Sequence, residues 1–221
     1  MTEKPAYYPL QETLFKCERD KVQESYDRWA ESYEPDSGRL GFASPEACVA
    51  AARRHAGAAE SVLDVGCGTG LLGEKMRAAG RLPRRLAGFD LSAGMLEKCR
   101  AKGVYQDLRV QDIMATPWPY EDGAFDLVLC NGVLIYVEDP SCLKEFLRVT
   151  RPGGHLVLMF RHDMPAYRAK GEEMAAVGLW ENVETTEDMV NFPGVAPGNP
   201  AADVRFNIYI FRKTPDAARK E

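Results

Sequence analysis

The sequence VLDVGCGTGL, from Val62 to Leu71, joins an apolar run that ends in a carboxylate to three glycines at alternate positions. The apolar residues predict a buried strand, the glycines predict a tight turn, and Leu71–Met76 predicts the start of a helix. Glycine lets the backbone of such a turn approach a ligand closely, and the helix N-terminus faces the same point. The segment is therefore typical of a nucleotide-type binding turn, although such a turn can also merely connect a strand to a helix.

The spacing of the glycines indicates which type of ligand the turn would bind. A dinucleotide-binding turn places two residues before its third glycine, so that bare backbone faces a pyrophosphate. Here Gly70 comes one residue earlier, and Asp64 lies two residues before Gly66. A carboxylate beside the turn would repel a diphosphate and attract a cation, such as the ammonium of an amino-acid moiety. We therefore expect a cofactor that carries positive charge.

This pattern resembles the first motif of the class I S-adenosylmethionine-dependent methyltransferases. The resemblance implies S-adenosylmethionine as the methyl donor and S-adenosylhomocysteine as the product. Two other classes stay open at this point: a nicotinamide-dependent oxidoreductase, which the glycine spacing and the acid fit poorly, and a non-catalytic subunit that binds S-adenosylmethionine. The residues of the segment that we expect to border the cofactor are Asp64, Gly66, Cys67, Gly68 and Gly70.

Strand and helix patterns alternate from residue 61 onward, which predicts an α/β fold with a doubly wound parallel sheet. The last two strands have no helix between them, so they should pair antiparallel. The resemblance implies a Rossmann-like sheet with strand order 3-2-1-4-5-7-6, in which the last inserted strand is antiparallel. The predicted strands are 61–65, 85–90, 107–110, 125–130, 154–161, 179–185 and 204–211, and the predicted helices begin near residues 71, 92, 140 and 165.

Polar residues follow several of these strands, at the edge where such sheets bind ligands. Asp90 closes the second strand, twenty residues after Gly70, and its two oxygens could accept both hydroxyls of a ribose. Its alternative role, capping the next helix, is already served by Ser92. Leu91 and Met95 could close one side of the adenine, unless Met95 is simply a core residue.

Two further groups of residues are expected to contact the cofactor. The resemblance implies that Asp112 binds the adenine amino group and that Ile113 packs against the ring, although an aspartate at this place could also be a solvated loop residue. The segment Cys130-Asn131-Gly132 ends the fourth strand, beside the expected methyl-donor end of the ligand. Asn131 can donate and accept hydrogen bonds, and Gly132 permits close backbone approach.

A narrower resemblance begins before the glycine turn. The segment Tyr26–Asp36 is similar to the N-terminal motif of the methyltransferase-like proteins of the Williams–Beuren region. This implies a helical lid that carries Trp29 and Tyr33 over the sulfonium, a cation that aromatic faces attract. The same spacing also fits an amphipathic helix packed on the sheet. We expect a single domain over 1–221, with lid helices in 1–56, where Ser44 caps a helix, and a Rossmann-like core in 57–221.

Catalytic residues are the least determined part of the site. His162 follows the fifth strand at its ligand-facing end, and Tyr136 lies just beyond the fourth. We interpret His162 as a general base and Tyr136 as a hydroxyl that orients the substrate. Their alternatives are a solvated loop imidazole and a half-buried packing ring. Nothing in the sequence shows whether oxygen, nitrogen or sulfur receives the methyl group, or which oligomer forms.

Composition excludes several function classes. The net charge of −5 disfavours nucleic-acid binding, and the short basic clusters at 81–85, 212–213 and 219–220 are typical of solvated surface. Six cysteines without a Cys-x-x-Cys pair predict reduced thiols and no metal site. Charged residues occur throughout the first twenty residues, and no apolar run is longer than the six residues 47–52. We therefore expect neither a signal peptide nor a membrane span. We expect a cytoplasmic enzyme with a small-molecule substrate.

Overall fold

The computed structural model describes residues 18–215. Its helices are α1 (Val22–Trp29), α2 (Tyr33–Leu40), α3 (Ser44–Ala56), α4 (Leu71–Ala78), α5 (Ala93–Ala101), α6 (Leu143–Val149) and α7 (Pro165–Ala176). Its strands are β1 (Ser61–Val65), β2 (Arg85–Asp90), β3 (Asp107–Val110), β4 (Phe125–Cys130), β5 (Thr150–Arg161), β6 (Trp180–Thr185), β7 (Met189–Val190) and β8 (Arg205–Lys213). Short 3-10 helices cover Arg19–Lys21, Leu134–Tyr136, Pro140–Cys142 and Pro200–Asp203.

The strands form one mixed sheet in the order β3-β2-β1-β4-β5-β8-β6, and β7 also pairs with β8. Strands β1 to β5 run parallel, whereas β8 is antiparallel to both β5 and β6. The predicted strand order is thereby confirmed, with β8 as the inserted antiparallel strand. Sequence reasoning missed β7 because two residues are too few to show a strand pattern. It pairs Met189 with Phe206, at the first residues of β8.

Both faces of the sheet are covered, which explains the continuously apolar strands. Along β4, Leu127 and Leu129 pack on one face with α3 and α4, while Val128 and Cys130 pack on the other with α6 and α7. Parallel strands end at a common edge, so the segments after β1, β2 and β4 meet there. This edge is where the predicted polar residues converge.

Helix α3 belongs to the sheet layer, although the sequence placed it among the lid helices. Its Cys48 and Ala51 are fully buried in the cluster beneath β4 and β5. Ser44 is not the N-cap: the cap position is Ala43, no side chain caps the helix, and the buried Ser44 hydroxyl has no hydrogen-bond partner. The proline at 45 does lie in the first turn, as predicted.

Between residues 18 and 215, no helix is both long and apolar enough to cross a membrane. The five cysteines in this range are free and buried, and Cys17 lies outside the described residues. The basic pair at 219–220 also lies outside them.

Candidate active site

An open cleft lies at the carboxyl ends of β1, β2, β4 and β5, beneath α1 and α2, and this main cavity measures about 1090 Å³ with the space open to solvent included. A second cavity, of about 320 Å³, adjoins it and shares part of its wall, including Gly66 and Asn131. The main cavity brings together most of the predicted site residues, namely Trp29, Tyr33, Gly66, Gly68, Asp90, Leu91, Met95, Asp112, Ile113, Asn131, Gly132 and Tyr136.

The glycine turn has the backbone that its sequence predicts. Gly66, Gly68 and Gly70 have φ values of 69°, 53° and 84°, in the left-handed region that side chains disfavour. A Cβ on Gly66 would lie 2.1 Å from a methyl carbon of Val133, whereas a Cβ on Gly68 would meet nothing within 4 Å. Gly66 therefore allows the turn to pack against the β4 end, and Gly68 leaves a cradle open at the cavity. Gly70 lines neither cavity and packs instead against Cys99.

Asp90 links the turn to the helix that follows β2. Its Oδ2 accepts the Gly68 N–H at 2.8 Å, and its Oδ1 accepts the Ser92 N–H at 2.8 Å. Ser92 caps α5, as expected, because its hydroxyl accepts the Met95 N–H. Burial raises the pKa of Asp90, and the backbone N–H donors oppose this rise. Each oxygen has a second lone pair, so the carboxylate holds the turn in place and can still accept a ribose hydroxyl.

Asp64 is buried beneath the turn and lines the second cavity. Its Oδ2 accepts the Tyr105 hydroxyl at 2.6 Å, but its Oδ1 has no hydrogen-bond partner. Burial raises the pKa of Asp64 to about 7, while the Tyr105 hydrogen bond lowers it. Thr69 lines the same cavity, and its buried hydroxyl also has no partner. Two polar atoms left unpaired in one small cavity indicate a place for a polar or cationic group.

The end of the main cavity beside Asp112 holds a contact that the sequence did not reveal. Arg19 donates from Nη2 to the two oxygens of Asp112 at 2.7 and 3.0 Å. Asp112 also accepts the Met114 N–H at 2.8 Å. Ile113, Leu91 and Met95 line this part of the cavity, and Met95 is at the same time fully buried. Arg19 and Asp112 are 93 residues apart, and no local pattern connects them.

The aromatic residues of α1 and α2 form the roof of the cavity. Trp29 and Tyr33 pack edge to face with ring centroids 4.9 Å apart, and the Trp29 indole donates to Asp36 at 2.9 Å. Tyr26, on the same helical face, places its hydroxyl 2.9 Å from the Tyr136 hydroxyl. Burial raises the pKa of Tyr26 well above its usual value, so its hydroxyl keeps its proton. Tyr26 was not predicted as a site residue, although its spacing of three from Trp29 placed it on this face.

Besides Asp64 and Gly70, three predicted residues do not line the main cavity. His162 is half exposed, and its Nε2 lies 2.6 Å from Asp188, outside both cavities. Its imidazole is paired with Asp188 at the surface, and its role as a base stays a prediction. Cys130 is buried behind the wall. Cys67 borders only the second cavity, and burial raises the pKa values of both thiols well above their usual range.

The opposite end of the main cavity, beneath the end of β5, is lined by residues that sequence reasoning missed. Arg161 ends β5, and Phe42 precedes α3. Asn191 and Phe192 follow β7, in the Pro/Gly-rich segment that leads to the last strand. The Phe42 and Phe192 rings are stacked with centroids 5.5 Å apart. The pairing of distant segments brings these residues together, so no short motif could have identified them.

Comparisons with known proteins agree with this geometry. The profile of the methyltransferase domain family matches residues 63–158. Human methyltransferase-like protein 27 is 35% identical over 167 residues, which cover 72% of this chain and 67% of that protein. The ubiquinone biosynthesis O-methyltransferase of Xanthomonas oryzae is 31% identical over 72% of this chain and 66% of its own length. The malonyl-[acyl-carrier protein] O-methyltransferase of Yersinia pestis is 34% identical over 62% of this chain, which spans about half (49%) of that relative.

Solved structures show the same fold. A Haloferax volcanii methyltransferase in complex with the Trm112 methyltransferase activator superposes with a TM-score of 0.65 at 17% identity, covering 86% of this chain and 97% of that one. An S-adenosylmethionine-dependent methyltransferase of Thermotoga maritima superposes with a TM-score of 0.61 at 18% identity, covering 86% and 98%.

The sheet order, the glycine turn and these matches together identify the protein as a class I S-adenosylmethionine-dependent methyltransferase. The enzyme uses S-adenosylmethionine and forms S-adenosylhomocysteine, and the oxidoreductase and non-catalytic alternatives no longer stand. Within that class, the chain belongs to the family of methyltransferase-like protein 27.

Proposed function

We propose that this protein transfers a methyl group from S-adenosylmethionine to an oxygen atom of a small-molecule acceptor bound in the main cavity. The observation that carries the proposal is the continuity of this cavity, which runs from Asp90 and Asp112 at the cofactor end to the β5 end under one aromatic roof. Two relatives of this chain are named O-methyltransferases, which supports oxygen as the receiving atom. When bound, the cofactor supplies a methyl group on a sulfonium, which an acceptor oxygen displaces as the C–S bond breaks.

The residues fit the cofactor part by part. The second cavity suits the cofactor's ammonium, because Asp64 Oδ1 and Thr69 Oγ1 are unpaired there. Asp90 would accept the ribose hydroxyls, and the backbone around Gly68 would border the amino-acid part. Asp112, Ile113, Leu91 and Met95 would enclose the adenine, with Arg19 fixing the Asp112 carboxylate.

Alignment of the reacting atoms is the main contribution that this site can make. Holding two reactants in line supplies about 7 to 11 kcal/mol of a barrier. Tyr136 would orient the acceptor through its hydroxyl, which Tyr26 positions at 2.9 Å. Among the described residues that line the cavity there is no imidazole, and the proposal therefore gives His162 no role as a base. Trp29 and Tyr33 would face the sulfonium from the roof.

The proposed lid is shorter than the sequence suggested. We assign it to residues 19–40, because α3 packs in the sheet layer. The lid is attached to α5: the Asp27 carboxylate accepts the Gly94 N–H at 2.9 Å, and Lys98 pairs with Glu31 at 2.6 Å. The remainder of the chain would act with it as one domain. Buried free thiols are typical of a reducing compartment, which supports a cytoplasmic enzyme.

The test is release of S-adenosylhomocysteine when the full chain is incubated with S-adenosylmethionine and a panel of metabolites that bear hydroxyl, carboxylate, amine or thiol groups. We expect a product that is one methyl group heavier, and we expect Tyr136→Phe to lower kcat with little effect on cofactor affinity. Tyr120→Phe is the matched control, because the buried Tyr120 hydroxyl has no hydrogen-bond partner and does not line the cavity. Methylation of nitrogen alone across the panel, or full turnover by Tyr136→Phe, would contradict the proposal.

A further inference from the structure

Asn191 is a buried amide at the β5 end of the main cavity. It follows β7, and its backbone is held on both sides. Its N–H donates to the Val204 carbonyl at 2.9 Å, and its own carbonyl accepts the Ala43 N–H at 2.9 Å. Only 3% of the residue is exposed, and it lines the cavity. The paired backbone therefore fixes the place of this side chain in the cavity wall.

The Asn191 side chain lacks the partner that its burial requires. Its buried Oδ1 accepts no hydrogen bond from any residue that the structure describes. A buried amide oxygen without a donor is costly, and most such atoms in proteins have a partner. A ligand hydroxyl would supply one. It also fits either orientation of the amide, because a hydroxyl can donate to the oxygen or accept from the nitrogen.

An aromatic wall connects the end of β4 to Asn191. Phe42 and Phe192 line the main cavity, and their rings are stacked with centroids 5.5 Å apart. A Cβ on Gly132 would lie 3.8 Å from the Phe42 ring, so this ring reaches the turn that follows β4. Phe192 directly follows Asn191 in the chain. The wall thus runs from the proposed methyl-donor end to the Asn191 amide, and it suits a flat apolar body.

We propose that Asn191 binds a hydroxyl of the acceptor, at the opposite end of a flat apolar body from the oxygen that receives the methyl group. The inference rests on the proposed function, which gives the cofactor the ends of β1, β2 and β3 and orients the receiving oxygen through Tyr136. The apolar body would lie along Phe42 and Phe192. Asn191 would thus determine specificity, because it selects acceptors with a polar group at both ends over those with only one.

The test compares two phenols that differ only in this second hydroxyl. The full chain, saturated with S-adenosylhomocysteine, is titrated calorimetrically with 4-(2-hydroxyethyl)phenol and with 4-ethylphenol. We expect the first to bind about fivefold more tightly, which is the net contribution of one hydrogen bond between neutral groups. Asn191→Ala should remove this difference by weakening binding of the first phenol alone. Asn191→Asp should retain the difference, because a carboxyl group still accepts a hydrogen bond from a hydroxyl.

Asn207→Ala is the matched control, because the Asn207 amide donates to the Thr186 carbonyl at 3.0 Å and lines neither cavity. It should bind both phenols as the wild type does. If Asn191→Ala does not bind S-adenosylhomocysteine, Asn191→Leu, which keeps the size of the side chain, takes its place. The inference is overturned if the wild type binds the two phenols equally or binds neither at millimolar concentration. It is also overturned if the preference survives the loss of the amide, or if Asn207→Ala loses it equally.

Two measurements on the wild type distinguish failure of this inference from failure of the proposed function. If S-adenosylhomocysteine binds and both phenols are methylated on oxygen at the same rate, only the hydroxyl site at Asn191 fails. If S-adenosylhomocysteine does not bind, or if no oxygen is methylated across the metabolite panel, the proposed function fails as well.

Discussion

We expect cofactor affinity to depend on pH near neutrality, because of the buried carboxylate of Asp64. The pKa of Asp64 is about 7 because the group is buried, and its Oδ1 has no partner until a ligand arrives. A cofactor ammonium placed there would favour the ionised carboxylate and lower its pKa, so binding would release a proton. Affinity is therefore highest when Asp64 is fully ionised, well above pH 7, and it decreases as the pH falls through about 7. The ionised fraction falls from about one half at pH 7 to about one tenth at pH 6, which corresponds to about a fivefold rise in Kd.

The assay is calorimetric titration of S-adenosylhomocysteine from pH 5.5 to 7, below the range in which an α-amino group, with a pKa of about 8, loses its own charge. Asp64→Asn should bind weakly and without this pH dependence. Tyr105→Phe is a sharper control, since it removes the hydrogen bond that lowers the Asp64 pKa and should therefore move the loss of affinity to higher pH. An unchanged Kd between pH 7 and pH 5.5 in the wild type would refute the reasoning, as would an identical profile in Asp64→Asn.

Three further predictions concern the scaffold of the site. Gly66→Ala should lower the free energy of unfolding by about 2 kcal/mol or more, because φ is 69° and the new Cβ would lie 2.1 Å from Val133. A thermal melt equal to that of the wild type would contradict this prediction. Asp27→Ala removes the carboxylate that holds the lid to the start of α5, and it should raise the Kd of S-adenosylhomocysteine about fivefold. If calorimetric binding is unchanged, the lid does not contact the cofactor. Glu145→Gln weakens the buried ion pair with Arg148 and should cost about 1 to 3 kcal/mol in urea unfolding without changing that Kd.

The parts of the fold that the sequence predicted well depend on local patterns. Strands 61–65, 85–90 and 125–130 were placed to the residue, because each is an apolar run bounded by residues that end a strand. Ser92 was placed correctly as a cap for the same reason: a short polar side chain stands directly before a helical pattern. The strand order depended on the resemblance as well, since local patterns fix the elements and not their neighbours.

The residues that sequence reasoning missed or misplaced are set by long-range packing. Ser44 lies inside its helix as the first residue and is fully buried, so the cap position falls one residue earlier, at Ala43. Arg161 and Asn191 reach one wall only because β8 pairs with both β5 and β7. His162 follows β5 at the expected place, but its ring is drawn to Asp188 at the surface, and nothing in the sequence indicates that direction.

The proposed donor and acceptor halves of the cavity therefore differ in how well local sequence patterns predict them. The proposed donor half is built from segments that directly follow β1, β2 and β3, so local patterns in the sequence describe most of it. The lid is fixed to this half, through Arg19 at 2.7 Å from Asp112 and Asp27 at 2.9 Å from the Gly94 nitrogen. The acceptor half is closed by the segment 191–204 and the end of β5, which connect to the lid through Phe42. Relatives that share the motif can thus keep the same donor site while loops of unrelated sequence determine which acceptor they bind.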